Sequence, residues 1–193
     1  MLSCVIRHVD DKSIGLKFRY EEAVQLHKTA RSLSAAIANE LGGTSGCERV
    51  LPYTEPSLLA ALAISYSTEM TLHERYVCTG LAGPVADGFG SPELLELQST
   101  AIARLHELSD DILRLSQTIQ YVPELYGISS VSPFVIDALY QAGANFAWMV
   151  AETGGDKHTE KLATIKTVLG LLGKRWNSAN EYLLMIGLSP SQI

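Results

Sequence analysis

The 193-residue sequence predicts an all-α fold, a bundle of about five long amphipathic helices joined by glycine- and proline-rich loops. Three observations predict it. Apolar residues recur at alternating spacings of three and four, which places them along one face of a helix but on both faces of a strand. Glycine or proline marks the ends of the segments that carry this rhythm. Finally, 47% hydrophobic composition lets a chain of this length bury a core, so residues 1–193 are expected to form a single domain.

Residues 1–17 carry the weakest pattern, and Met1 to Val9 fits a short helix or a loosely packed arm before a turn at Asp10 to Gly15. The bundle itself is expected over residues 18–188. Its first helix runs from Phe18 to Leu41, with Tyr20, Val24, His27, Ala30, Ser34, Ile37 and Leu41 on one stripe and Gly42-Gly43 as a stop. His27 on this stripe is expected to be a half-buried structural histidine. After a loop at Thr44 to Tyr53, Thr54 and Pro56 open a second helix whose face carries Leu59, Leu62, Tyr66, Glu69, His73 and Tyr76. Gly80 to Gly90, GLAGPVADGFG, is a connector, because it lacks the glycine–lysine order that cradles phosphates.

Ser91-Pro92-Glu93 starts the third helix, whose stripe of Leu94, Leu97, Ala101, Leu105, Leu108, Ile112, Leu115, Ile119 and Val122 is expected to end at Pro123. Glu107, Asp110 and Asp111 lie between Arg104 and Arg114, a cluster that resembles a carboxylate-rich metal face but is expected to be a solvated ion-pair surface. Tyr121 to Ser132 is a linker. Ser132-Pro133 opens the fourth helix, Pro133 to Thr153, with Ile136, Leu139, Gly143, Phe146 and Val150 on its seam and Gly154-Gly155 at its end. Gly143 predicts the close approach of another helix. The fifth and longest helix is expected to run unbroken from Lys157 to Leu188, because Leu162, Ile165, Leu169, Leu172, Trp176, Ala179, Leu183 and Ile186 keep one continuous stripe over roughly 45 Å.

Charge and cysteine usage exclude several classes. With 15 basic against 21 acidic residues the net charge is −6, and no basic run exceeds Lys174-Arg175, so this chain is not expected to neutralise nucleic-acid phosphates directly. Cys4, Cys47 and Cys78 form neither a zinc-ligand spacing nor a disulfide framework. The longest apolar stretch, Leu58 to Ile64, falls far short of the roughly 20 residues that span a bilayer, so no membrane partner is expected. Neither a metal nor another cofactor is expected. Glu69 and His73, four apart on one helical face, could share a hydrogen bond or act as base or ligands, but spacing supplies no third group. A plain pair is expected.

Three segments together carry a resemblance: Leu58-Leu59-Ala60-Ala61-Leu62-Ala63 with Tyr66 and Thr71-Leu72-His73; Ser132-Pro133-Phe134 with Ala138-Leu139-Tyr140-Gln141-Ala142-Gly143; and Leu169 to Leu183, LGLLGKRWNSANEYL. Over roughly residues 20–187 the chain resembles the C-terminal part of the fungal-specific transcription factor regulatory domain, as in zinc binuclear cluster proteins. Arg175-Trp176, Ala179 and Tyr182-Leu183 are its most telling residues. The resemblance implies an all-α regulatory region, an effector or partner protein, action in the nucleus, and control of RNA polymerase II transcription of metabolic or secondary-metabolite genes. The family's six closely spaced zinc-binding cysteines have no counterpart here, and Glu74-Arg75-Tyr76 stands where Arg-Pro usually follows Leu-His.

Two alternatives come from other classes. One is a small helical enzyme of natural-product biosynthesis, a cytoplasmic cyclase or isomerase, with Glu69, His73 and Asp137 as catalytic candidates. Tyr66, His73, Tyr140 and Trp148 are the ligand-pocket candidates, since a pocket in a helical core needs a few polar groups among aromatics. The other is a homodimeric interaction module using an exposed helix seam.

Overall fold

A computed structural model describes residues 1–11, 16–43, 55–77 and 92–187. The expected turn at 12–15, the loop over 44–54 and the glycine-rich connector over 78–91 lie outside the described residues, as do residues 188–193. Most of the described residues are helical, and none of them forms a strand. In chain order the helices are α1 (Leu2–Asp10), α2 (Leu16–Gly43), α3 (Pro56–Val77), α4 (Pro92–Tyr126), a 3-10 turn at Ile128–Ser130, α5 (Phe134–Thr153), α6 (Asp156–Leu172) and α7 (Asn177–Gly187). The all-α bundle is therefore as expected, with seven α-helices among the described residues rather than about five. Among those residues no helix is long and apolar enough to cross a membrane.

The extra helices arise at the two ends. Of the alternatives for the N-terminus, the residues form the short helix, and α1 buries Val5 and His8 against the body of the protein. At the other end, the single helix expected from Lys157 to Leu188 is broken. Carbonyls of the last α6 turn accept contracted bonds, Lys174 N–H to Leu171 at 3.4 Å and Arg175 N–H to Leu172 at 3.0 Å, which tighten and end the helix. Asn180 of α7 then folds over the turn and donates from Nδ2 to the Gly173 carbonyl at 3.0 Å. A Cβ on Gly173 would stand 2.0 Å from Asn180 Oδ1, so only glycine lets the two meet. The apolar rhythm runs through the break because α6 and α7 both bury that seam: Ile165, Leu169, Leu172, Ala179 and Ile186 are all core residues.

Helix α4 also departs from expectation. It continues through Pro123 to Tyr126 and gives way at Gly127, whose φ of 80° suits glycine and ends the helical path. Leu97, Ala101, Leu105, Leu108, Ile112, Leu115, Ile119 and Val122 are buried along it as the stripe predicts. Ser132 supports the start of α5, accepting the Phe134 N–H on Oγ at 3.4 Å, and Gly154 closes it in the left-handed region at φ 60°.

Helix α3 is the axis of the bundle, packed against α1, α2, α4 and α5. From Ser65 to Met70 six consecutive residues are buried, so every face of the helix is covered. Its polar side chains are therefore interior groups that need partners, since an unpaired buried polar group costs about 1–3 kcal/mol. Thr68 donates to the Ile64 carbonyl at 2.7 Å, and Ser67 donates to Asp137 of α5.

Gly143 of α5 does admit neighbouring helices. A Cβ there would lie 2.6 Å from Ile186 Cδ1 of α7 and 3.3 Å from Ile165 Cγ2 of α6. Gly143→Leu is expected to destabilise the protein by about 1–3 kcal/mol through overpacking. Gly143→Ala should be close to neutral, because Ile186 Cδ1 is the end of a flexible side chain and the helix gains about 1 kcal/mol. Urea unfolding of both variants measures the difference.

Candidate functional site

Three helices each present a two-turn polar stripe to one region, interior at Ser34, Ser65, Glu69, His73 and Arg104 and open to solvent at Glu107. Helix α2 contributes His27 and Ser34, seven apart; α3 contributes Ser65, Glu69 and His73, four apart; α4 contributes Arg104, Glu107 and Asp111, three and four apart. Each spacing keeps its residues on one face. Packing of α2 and α4 on α3 brings the stripes together.

Glu69 is the centre, with no exposed surface. Its Oε2 accepts from Arg104 Nε at 3.0 Å and Nη2 at 2.8 Å, and its Oε1 accepts from Ser34 Oγ. Ser34 in turn lies 2.8 Å from Ser65 Oγ, which can donate to it. Arg104 also donates from Nη1 to Glu107 at 3.0 Å and stands 4.0 Å from Asp111. The expected surface cluster is thus corrected at Arg104. Only 9% of its side chain is exposed, and it turns inward because a buried carboxylate needs a counter-charge. Arg114, paired to Asp111, keeps 70% of its side chain exposed and belongs to the surface.

Beside this pair two imidazoles face each other. His27 Nδ1 lies 3.0 Å from His73 Nε2, with the rings edge-on, so one ring donates and the other accepts. His73 is buried, and its Nδ1 makes no hydrogen bond among the described residues. Burial, with lesser contributions from His27 and Arg104, lowers the His73 pKa to about 3. Burial also lowers that of His27, against the attraction of Glu69. Both rings are neutral at pH 7. Nitrogen atoms of His27 and His73 and an oxygen of Glu69 all lie within 4.8 Å of one another.

The other residues singled out in the sequence fall elsewhere. Asp137, exposed on α5, accepts from Ser67 and, at 3.5 Å, from Tyr182 Oη. Ser67 and Glu69 are two residues apart on one helix, about 200° around its axis, so Asp137 addresses a different face from Glu69 and His73. Tyr66 is buried in the core, and burial, followed by the charge of Asp111, pushes its pKa up to about 12. Tyr140 stacks on Tyr182 of α7 with centroids 4.2 Å apart. Trp148 is 44% exposed.

His27 is the third group that spacing could not supply. Its position and that of Ser34 on the apolar stripe of α2 were the available signal. A second polar knot joins the first three helices: His8 Nδ1 lies 2.7 Å from Glu22 Oε2, and its Nε2 meets Tyr76 Oη. No family model, curated protein or solved structure matches the chain.

Proposed function

We propose that this chain is a regulatory, effector- or partner-binding module of the fungal transcription-factor type, acting in the nucleus on RNA polymerase II transcription of metabolic or secondary-metabolite genes. The observation that carries this reading is the role of its most telling residues. Trp176, Ala179, Tyr182 and Leu183 pack against the core and hold α7 on α5 and α6. A resemblance carried by such residues points to an architecture rather than a reaction centre. Tyr140, from the second resembling segment, stacks on Tyr182 from the third, so two of the three segments meet in one contact.

Chemistry at the catalytic candidates has little support. Glu69 is already engaged by Arg104 and Ser34 as one half of a buried ion pair. His73 is held neutral down to about pH 3, and Asp137 faces elsewhere. A regulatory module must instead be a stable body that presents surface to a partner or effector.

Joined to an unrelated DNA-binding module in a fungal cell, the chain is expected to change reporter transcription several-fold relative to that module alone. Unchanged transcription, with the fusion nuclear and its helical circular dichroism intact, would contradict the proposal.

A further inference from the structure

The geometry points to a binding site for a divalent first-row transition-metal ion, held by His27 of α2 and Glu69 and His73 of α3. This inference stands apart from the regulatory reading, because it rests on side-chain geometry alone.

The two imidazole nitrogens are already placed as adjacent ligands. Metal–nitrogen bonds of about 2.0–2.1 Å put neighbouring ligand atoms about 3.0–3.4 Å apart, and His27 Nδ1 and His73 Nε2 are separated by 3.0 Å. Without an ion, a single proton lies between two lone pairs that both point into the contact. The third ligand is on the same helical face as His73, one turn earlier, and its oxygen lies within 4.8 Å of the ring nitrogens.

Arg104 raises the obvious objection, since it already neutralises Glu69. Two facts answer it. A carboxylate offers about four lone-pair sites, and here Arg104 takes two contacts on Oε2 while Ser34 takes one on Oε1. Oε1 therefore keeps a free lone pair, with Ser34 and Arg104 fixing the orientation of the group as partners of ligating carboxylates do. The charges also favour a dication. Glu69, Glu107 and Asp111 stand against Arg104 and, paired to Asp111, Arg114, three negative charges against two positive and a local balance of −1. Arg31, one turn beyond His27, adds a positive charge only from the exposed side.

Two nitrogen donors and one oxygen donor select zinc, cobalt or iron(II) over calcium or magnesium, which prefer all-oxygen sites. His27 is half-buried, so the ion has a route in past its ring. Because the ligands span α2 and α3, occupancy ties those helices together and stabilises the fold.

Chelator-treated protein carrying Cys4→Ser, which removes the one exposed thiol among the described residues, is titrated calorimetrically with Zn²⁺ and followed by absorption with Co²⁺. One Zn²⁺ per chain is expected, with a rise in melting temperature at about 100-fold excess over Kd. His27→Gln should weaken binding by at least about 10-fold, whereas His106→Gln, at an exposed site, should leave it unchanged. His27 is chosen because it is half-buried, so its replacement disturbs packing less than that of His73. Retained helical circular dichroism and urea midpoint identify a folded variant, and His27→Asn replaces it if His27→Gln fails this check. No uptake at about 100 μM Zn²⁺ would overturn the proposal. So would wild-type affinity in the folded His27 variant, or a thiolate-to-cobalt charge-transfer band showing the ion on cysteine.

Discussion

Arg104→Met is expected to lower the folding free energy by about 3–5 kcal/mol, the usual cost of removing one partner of a buried ion pair. The methionine keeps most of the arginine's volume, so the loss is electrostatic. Glu69 has no exposed surface and would retain only the Ser34 hydroxyl against its charge. Two charge-assisted hydrogen bonds go at once. Glu69→Gln should cost less, because Arg104 keeps Glu107 at 3.0 Å and Asp111 nearby. The double change Glu69→Leu with Arg104→Met should recover much of the loss, since an apolar replacement of a whole buried pair is often neutral. For a protein of this size, 1 kcal/mol corresponds to about 2–4 °C, so Arg104→Met should melt roughly 6–20 °C lower. Thermal and urea unfolding of these variants, with Glu69→Leu alone added, closes the cycle.

The metal-free protein is expected to lose stability steeply in mild acid. His73 has a pKa of about 3 in the folded protein against an ordinary value of 6.5, so folding favours its neutral form. Above pH 6.5 neither state carries the proton and the contribution is complete. Below it the unfolded chain binds a proton that the folded chain refuses, and stability falls with pH until about pH 3. Each unit costs about 1.4 kcal/mol, so His73 alone removes about 2 kcal/mol between pH 6.5 and 5, and more by pH 4. His27 shifts in the same direction, while Asp111, whose pKa burial raises, works against them at lower pH. His73→Gln should flatten the slope between pH 6.5 and 5, which equilibrium urea unfolding at several pH values measures.

Helical periodicity made most of the bundle legible in the sequence, and it failed where its physical basis ran out. A stripe reports one buried face. It therefore found the seam of α4 from Leu97 to Val122 but not the full enclosure of α3, where Ser65, Ser67 and Thr68 are buried beside the stripe. It also passed through Gly173, because the residues on both sides of the break face the same core. The polar cluster was half visible. Glu69 and His73 are one turn apart and could be paired from spacing, whereas His27 is 46 residues from His73 and Arg104 is 35 from Glu69. Contacts at such separations depend on how helices pack, which local spacing does not encode. Arg104 was the hardest to find, since a charged residue among Glu107, Asp110 and Asp111 has the composition of a surface.

The central claim is that His27 and His73 meet as neutral imidazoles in an interior enclosed by α2, α3 and α4. Nitrogen-15 NMR of the imidazole rings, followed from pH 7.5 to the acid limit of the folded state, tests it most directly. The expected result is a His73 ring that stays neutral as the pH falls through 5, with its Nε2 shift coupled to substitution of His27. A His73 ring that takes up its proton near pH 6.5, as an imidazole in water does, and that ignores changes at His27 would contradict the account.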